Sequence, residues 1–563
     1  MKKLSEIDPA KELHSLIRSE EKRILESFPL ERRLGLMEIS RSMDLFWINI
    51  DAGIVEYSEQ VRQLSQLITF GLNKAVHLFL DGSCSFPSFP LAMSSKESKD
   101  WADSVLIHCG RLGLCEYFLE TNRIGLSKLK KESDYIYRFQ FSDTEPIGLE
   151  SFEKDDFNWR IEFIAKNQEN KLKELEERQR EIWNIMSNLV NTWQDNFIQY
   201  EAHPEVDQFY KEYGILRSER MFGQDEFPSD AKFGGYDFSL YRATVETLTG
   251  WGLKHASFCT QLLKKSPSID FANIITVPQH FENKILFLTY VLDIDFDTAR
   301  HLLEILTLTY ESKNVHCSAG IFIAPAFIKV GQGRVLSPVW GCTSHPFLFM
   351  LNELKRKYRF DWDMAVNQRE NIFRNDIYAL FKESRFLKLD ANVKIKIGGL
   401  ILTYIDALIF DRATGIVGIF QLKWQDIFGN SMRERESRKR NFQKTSNQWV
   451  DRVNHWLAVN SISEICKMCG FDKQDIERAN EFRVFVIGRN ASHFSAVGTL
   501  DSRAAWGNWY QLLRLFTENI TLTNPLAELH TLMIETSPLK KEFLRPPKEE
   551  IKIRDATIII ESA

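Results

Sequence analysis

Residues 400–424 read LILTYIDALIFDRATGIVGIFQLKW, and this stretch decides the fold of the region around it. Two apolar runs flank the polar segment 412–415, whose glycine is typical of a turn. Because the runs are apolar on both faces, they predict two strands in the centre of a covered sheet. The polar residues Asp406, Gln421 and Lys423 lie within these strands, where each needs a partner.

The register of this hairpin brings the three polar side chains together. If the four residues after Asp411 form the loop, Asp411 pairs with Ile416, and antiparallel pairing places Asp406 directly opposite Gln421. Cross-strand neighbours share a face of the sheet, and Lys423, two residues beyond Gln421, lies on that face as well. We therefore expect a carboxylate, an amide oxygen and an ammonium to converge inside an apolar hairpin. A loop of a different length would remove this facing.

The elements around the hairpin predict the order α-β-β-β-α-β. A helix is expected over residues 363–381 and a strand over 393–397, both before the hairpin. A second helix over about 432–459 and a last core strand over 484–487 follow it.

The first of these helices carries a carboxylate in its apolar stripe. Glu370 lies four residues after Val366 and three before Phe373, in a stripe that continues to Ile377 and Leu380. A carboxylate on an apolar face is costly unless it is paired or binds a metal. Two interpretations stay open: Glu370 is a metal ligand, or its carboxylate reaches solvent from the edge of the stripe.

These residue types suit metal-dependent cleavage of a phosphodiester. Mg²⁺ prefers hard oxygen ligands, so Asp406, the Gln421 side-chain oxygen and a backbone carbonyl would hold one ion, and Glu370 would complete the site. Mn²⁺ is the alternative ion. The ion would polarise the scissile phosphate and lower the pKa of a bound water. Lys423 would orient or deprotonate that water, or neutralise the charge that grows on the phosphate.

On these residues the segment resembles the PD-(D/E)XK nuclease superfamily, which has the restriction-endonuclease-like fold. The motif residues are Asp406 and Gln421-Leu422-Lys423, with Glu370 on the preceding helix. In that superfamily the Asp and the acidic residue of the ExK motif bind Mg²⁺, and the Lys is catalytic. Gln421 replaces the acidic residue here, as in the D–QxK pattern of the Mrr-like branch, and Tyr404-Ile405 replaces the usual Pro before the Asp. The resemblance covers roughly residues 350–510 and implies an endonuclease that hydrolyses nucleic acid, with DNA as the expected substrate.

Charge is distributed unevenly along the chain. Residues 351–460 contain 20 Lys and Arg against 13 Asp and Glu, a balance of +7, whereas the whole chain has a net charge of −5. The basic residues that we expect to contact the phosphate backbone form two clusters that flank the site: Lys355, Arg356 and Lys357, and Arg433, Arg435, Arg438, Lys439 and Arg440. The alternative for the second cluster is a solvated helix face, which Glu434 and Glu436 favour.

The composition indicates several globular domains. The 563 residues are 44% apolar and 26% charged, and the net charge excludes a uniformly basic nucleic-acid-binding chain. The polar segment 201–235 is interpreted as a linker or domain edge. We expect an α/β multidomain protein with a mostly helical N-terminal region (1–200), a mixed α/β middle region (201–345), the nuclease-like domain (346–520) and a C-terminal extension (521–563).

The cysteines and the apolar runs bear on location. Eight cysteines are scattered along the chain. Acidic residues occur near the N-terminus before any apolar signal region can form. No apolar run approaches the ~20 residues that span a bilayer. We therefore expect a cytoplasmic protein with reduced thiols and no membrane contact.

The residues together predict a Mg²⁺-dependent nuclease whose region 1–345 serves recognition, regulation or assembly, as a homo-oligomer or with a partner. That arrangement suits restriction or antiviral defence against foreign DNA. Two other classes stay open. One is a nucleic-acid-binding protein with an inactive nuclease-like fold, which Gln421 favours. The other is a helical interaction scaffold, in which Asp406 and Lys423 would point to solvent or pair only with each other.

Overall fold

The chain is a mixed α/β protein, seen here in a computed structural model. The structure describes residues 8–27, 31–51, 54–56, 58–85, 89, 91–141, 149–222, 226–276, 278–317, 324–344, 346–389, 393–425, 432–493, 500–518, 520–521, 523–538 and 548–562. None of the helices in these residues combines the length and the apolar character needed to cross a membrane.

The first 200 residues are mostly helical. Their helices are α1 (Pro9–Glu26), α2 (Arg32–Asp51), α3 (Glu59–Phe79), α4 (Lys96–Arg123), α5 (Leu149–Asn167) and α6 (Glu169–Leu189), with a short 3-10 helix at Gly82–Ser85. Their strands form two antiparallel hairpins, β1 (Ser127–Ser133) with β2 (Ile136–Phe141), and β3 (Val190–Trp193) with β4 (Phe197–Tyr200).

The C-terminal residues complete the first of these sheets. Strands β18 (Glu549–Ile553) and β19 (Ala556–Ser562) give the order β1-β2-β19-β18, in which β19 runs parallel to β2. Their alternating isoleucines, such as Ile558 and Ile560, are buried in the same core as α1 to α4. Residues 548–562 therefore belong structurally with the N-terminal region, a long-range pairing that local sequence does not signal.

The middle region packs helices around one small sheet. The helices are α7 (Pro204–Phe222), α8 (Phe238–Lys265), α9 (Phe271–Ile275), α10 (Phe281–Leu292), α11 (Phe296–Ile305), α12 (Lys313–His316), α13 (Val339–Thr343) and α14 (Pro346–Lys357). The strands are β5 (Lys232–Phe233), β6 (Tyr236–Asp237), β7 (Pro278–His280), β8 (Thr307–Leu308), β9 (Phe327–Gly331) and β10 (Arg334–Leu336), and the last four form a sheet in the order β7-β10-β9-β8.

Of the two interpretations of residues 201–235, a linker or a domain edge, the linker is wrong for most of the segment. Residues 204–222 form α7, which packs on α8. Val206, Phe209, Tyr210 and Leu216 are buried at helical spacing, so an apolar face exists among the polar residues that suggested a linker.

The region after α14 contains a five-stranded mixed sheet. Its helices are α15 (Arg359–Leu380), α16 (Met432–Val459), α17 (Ile462–Met468), α18 (Lys473–Arg478), α19 (Trp509–Glu518) and α20 (Pro525–Glu535). Its strands are β11 (Phe386–Lys388), β12 (Val393–Ile397), β13 (Leu400–Ile405), β14 (Ala407–Asp411), β15 (Ile416–Lys423), β16 (Glu481–Gly488) and β17 (Ala505–Asn508). The sheet order is β11-β14-β15-β16-β17, and β15, β16 and β17 are parallel to one another.

Both faces of this sheet are covered by helices. Leu408, Val417 and Ile419 pack on the side of α16, whereas Ile409 and Phe420 pack on the side of α15, α19 and α20. The stretch predicted as one strand over 400–411 changes partner at Asp406, because β13 pairs with β12 and β14 pairs with β11 and β15. Asp406 therefore lies at the point where the chain enters the central sheet.

The pairing of β19 with β2 predicts a stability effect far from the central sheet. Ile560→Ala should lower the urea midpoint of unfolding, because Ile560 is only 1% exposed and its truncation leaves a cavity that costs about 2–5 kcal/mol. Glu550→Ala, on the exposed side of β18, is the control and should leave the midpoint unchanged. Equal midpoints for the two variants would contradict the placement of β19 in the core.

Candidate active site

A four-residue turn sets the register of the central hairpin. Asp411 is fully buried and accepts hydrogen bonds from Ala413 N at 3.0 Å and from the Thr414 hydroxyl at 2.9 Å. Gly415 has a φ of +77°, and a Cβ there would lie 2.3 Å from the carbonyl oxygen of Arg478, so glycine is required. Asp411 pairs with Ile416, and the predicted register is confirmed.

This register joins Asp406 to Gln421. The Gln421 amide Nε2 donates to Asp406 Oδ2, and the same oxygen accepts from Leu422 N at 2.8 Å. Both side chains are buried, with 6% of Asp406 and 5% of Gln421 exposed. Within the described residues, no hydrogen bond reaches Asp406 Oδ1 or Gln421 Oε1, so two oxygen atoms are left that could bind a metal ion.

Burial raises the pKa of Asp406 from its ordinary value of 3.8 to about 6. The Leu422 hydrogen bond and the charges of Lys423 and Arg374 lower this pKa, whereas the negative charge of Glu370 raises it. The ammonium of Lys423 and the carboxylate of Glu370 are thus close enough to act on Asp406. The Arg374 guanidinium also donates a hydrogen bond to the Asp406 carbonyl.

Glu370 does not lie in the buried stripe of its helix, which corrects the expected placement. Its side chain is exposed, and the neighbouring Arg369 takes the buried position instead. Arg369 pairs with Glu226 and lies over the ring of Phe227, so this turn of α15 presents Arg369 to the interior and Glu370 to solvent. The charge of the exposed Glu370 still acts on Asp406.

Lys423 ends β15 and is followed by a tightly held tryptophan. The guanidinium of Arg489 lies 4.6 Å from the Trp424 ring centroid, and that of Arg369 lies 5.7 Å from it. The indole N–H of Trp424 donates to Glu226 Oε2 at 3.1 Å. Arg489 N also donates to the Lys423 carbonyl at 2.8 Å. The backbone that carries Lys423 is therefore fixed on both sides.

Glu226 ties the middle region to this site. Its carboxylate pairs with Arg369 Nη2 at 3.2 Å, and its carbonyl accepts from Arg369 Nε at 3.1 Å. Arg369 also stacks 4.2 Å from the ring centroid of Phe227. The buried guanidinium of Arg369 is thus surrounded by groups from the middle region as well as from α15.

A cavity of about 370 Å³ opens beside Lys423. Its walls come from the end of α14, from α15, from the end of β15 and from α16. A single carboxylate, that of Asp363, lines the cavity. The positively charged side chains that line it are Lys355, Arg359, Arg369, Lys423 and Arg438. Arg359 pairs with Asp363 at 3.1 Å and Arg369 with Glu226 at 3.2 Å, so the other cations of the lining are Lys355, Lys423 and Arg438.

The first basic cluster is divided by the structure. Lys355 lines the cavity beside Lys423. Arg356 is held by Glu353 through two hydrogen bonds of 2.8 and 2.7 Å, and Lys357 lines a different cavity. Of the three residues, Lys355 alone is placed at the cavity of the candidate site.

The second cluster is divided as well. Arg438 lines the cavity, whereas Lys439 and Arg440 pair with Glu436 at 3.1 and 2.8 Å. The side chains of Arg433 and Arg435 lie outside the described residues. The solvated-face interpretation holds for Arg440, which is exposed, whereas Lys439 is buried and pairs with Glu436 inside the fold.

Among the described residues, no group of three or more His, Cys, Asp or Glu side chains is placed to hold a metal ion. Asp406 and Glu370 supply two carboxylates, and the third oxygen ligand would have to come from an amide or the backbone. Cys466 and Cys469, the only CxxC pair, are free and buried. Burial raises the pKa of the Cys469 thiol to about 12, which disfavours the thiolate that zinc needs.

Comparison with known proteins adds no neighbour. No family model, no curated protein and no solved structure matches this chain.

Three residues of the site were missed from sequence. Arg369 and Arg374 lie in the middle of a helix, and their burial depends on partners that are far away in the chain, such as Glu226 and the Asp406 carbonyl. Trp424 follows directly after the motif lysine, and this adjacency was the available signal.

The pKa of Asp406 predicts a pH dependence of stability. Between pH 4 and pH 6 the unfolded chain has lost the proton that the folded chain still holds, so stability falls as pH rises through this window. Asp406→Asn keeps an oxygen that accepts from Gln421 and Leu422 but does not titrate. In urea unfolding without divalent ions, the free energy of unfolding of Asp406→Asn minus that of the wild type should increase by about 2–3 kcal/mol from pH 4 to pH 7. Parallel curves for the two proteins would contradict the raised pKa.

Proposed function

We propose that the chain is a metal-dependent nuclease that hydrolyses phosphodiester bonds in DNA, and that residues 346–520 form a restriction-endonuclease-like domain of the PD-(D/E)XK type. The observation that carries the proposal is the buried Asp406–Gln421 pair, with Lys423 two residues further along and a cationic cavity beside it. An accidental motif on a scaffold would leave Asp406 facing solvent or paired only with Lys423, whereas Asp406 is buried and accepts hydrogen bonds from Gln421 and Leu422.

The donor atoms fit a hard divalent cation. Asp406 Oδ1 and the Gln421 side-chain oxygen would hold Mg²⁺ or Mn²⁺, and Glu370 would contribute through water, since its side chain is exposed to solvent. When bound, the ion would supply Lewis-acid activation of the phosphate and of a water molecule. A bound cation would lower the pKa of Asp406 that burial raises, because a nearby positive charge stabilises the buried carboxylate.

Lys423 is assigned the role of the catalytic lysine. Its ammonium lies at the mouth of the cavity and is close enough to Asp406 to lower the pKa of that carboxyl. Among the described residues, no carboxylate pairs with this ammonium within 4.0 Å, so its protons remain available to a phosphate oxygen or to the attacking water. The fixed Trp424 and the Arg489 hydrogen bond would hold the lysine backbone in place during the reaction.

The cavity cations support a polyanionic substrate. Lys355 and Arg438 line the cavity from two helices and would neutralise phosphates of a bound strand, and Arg359 lines it while paired with Asp363 at 3.1 Å. Region 1–345 would then serve recognition, regulation or assembly, and its Glu226 contact with Trp424 offers a physical link to the site. Restriction or defence against foreign DNA is the role that this combination suits.

One observation favours binding without cleavage as the second candidate. The Gln421 amide occupies Asp406 Oδ2, and glutamine adds no negative charge to attract a cation. A protein of this second kind would bind DNA through the same cavity but would leave the backbone intact.

Cleavage of plasmid and linear DNA tests the catalytic assignment. With Mg²⁺ or Mn²⁺, the wild type should cut, EDTA should abolish cutting, and Asp406→Asn and Lys423→Ala should each lower the rate at least about a hundredfold. Lys467→Ala, an exposed lysine on α17 in the same region, is the matched control and should cut like the wild type. Wild-type rates in both site variants would sink the assignment. Intact DNA with undiminished binding would favour the second candidate.

DNA affinity separates the cavity residues from the solvated face of α16. Arg438→Ala should weaken binding and reduce the slope of log affinity against log salt by about 1, because one phosphate contact is lost. Arg440→Ala, two residues away on the same helix, should have little effect, since that side chain is 75% exposed and pairs with Glu436. Fluorescence anisotropy at several salt concentrations measures both slopes. Equal effects of the two substitutions on affinity would contradict the proposal that Arg438, and not Arg440, contacts the DNA.

A further inference from the structure

A second cavity, of about 270 Å³, lies in the middle region on the small sheet. Strands β8, β9 and β10 supply half of its lining residues, and the start of α10 and the ends of α11 and α14 also contribute. We propose that this cavity binds a small phosphate-bearing molecule, of the size of a nucleoside monophosphate or smaller. The proposal goes beyond the nuclease function and does not depend on it.

The charges of the cavity point to an anion. Lys329, Arg334 and Lys357 line it, and Glu304 is its single carboxylate, which leaves an excess of two positive charges. Within the described part of the chain, none of these three cations has a carboxylate partner within 4.0 Å, whereas the adjacent Arg356 is fully engaged by Glu353. Cations gathered around one concavity repel each other unless an anion compensates them.

The geometry suits phosphate in particular. Arg334 is half-buried and carries the planar donor fork that binds two oxygens at once, and the two lysines add point charges at the rim. The turn between β9 and β10 leaves the backbone open, because a Cβ on Gly333 would meet no atom within 4 Å. A phosphate can therefore approach the main chain of this turn closely.

The remaining wall can receive the organic part of the ligand. Phe281 and Val335 supply apolar surface, and Thr307 and Thr309 supply hydroxyl groups beside it. The volume lies just below the range for ligand sites, about 300–1,000 Å³, which excludes a large ligand. The cavity is also separate from the one at Lys423, although Lys355 and Lys357 of α14 reach one cavity each.

Calorimetric titration of the full chain tests the proposal, with inorganic phosphate, pyrophosphate and AMP as the probes. At least one probe should bind with a stoichiometry of one, and Arg334→Ala and Lys357→Ala should each weaken it at least about tenfold. Lys357→Ala is included because it should fold normally even if Arg334→Ala does not, since Lys357 is exposed at the end of its helix. Lys128→Ala, an exposed lysine of β1, is the control and should bind like the wild type.

Three outcomes would overturn the proposal. The first is no saturable binding of any probe at millimolar concentration. The second is binding that Lys423→Ala abolishes and Arg334→Ala spares, which would place the phosphate in the nuclease cavity. The third is displacement of bound AMP by a single-stranded oligonucleotide whose own binding is weakened by Lys357→Ala. That result would make the cavity part of a nucleic-acid-binding surface. Retained binding in Lys423→Ala supports the assignment whether or not the chain cleaves DNA.

Discussion

The turn between β14 and β15 is the constraint on which the candidate site depends. The buried Asp411 side chain accepts a hydrogen bond from the turn. Gly415 has a positive φ, and a side chain there would collide with the carbonyl of Arg478. With the loop fixed at four residues, Asp406 must face Gln421 across the hairpin. A change of one residue in loop length would turn one strand over, so that the buried carboxylate would lose its partner. The chemistry therefore depends on a turn that takes no part in it.

The site also depends on residues from outside its own sheet. Arg369 is buried against Glu226 and Phe227 of the middle region, and the same Glu226 accepts the indole hydrogen of Trp424. These contacts are buried and charge-assisted, so removing one partner leaves an uncompensated group and is costly. The lysine at the end of β15 is thus held by a network that a separate domain 346–520 would lack.

Sequence predicted the elements whose signals are local and missed those whose signals are distant. The bounds of β12 and α16 agree with the expected ranges, and the hairpin register is confirmed, because apolar runs and a turn encode them directly. The local pattern predicts Glu370 in the buried stripe, one position away from Arg369, because the charged partner and one of the rings that bury Arg369, Glu226 and Phe227, lie more than a hundred residues earlier. The pairing of β19 with β2 and the burial of α7 likewise arise from contacts that no local pattern contains. The residues to which the chemistry is assigned were identified from sequence. The long-range contacts that hold them in place are visible only in the structure.

The position of a bound divalent ion tests the central claim most directly. Crystals of the wild type soaked in Mn²⁺ should give an anomalous scattering peak at coordination distance from Asp406 Oδ1 and the Gln421 side-chain oxygen. Crystals of Asp406→Asn, treated in the same way, should lack that peak. A wild-type crystal with no Mn²⁺ at Asp406, from protein that cleaves DNA with Mn²⁺ in solution, would show that the metal and the chemistry are elsewhere in the chain.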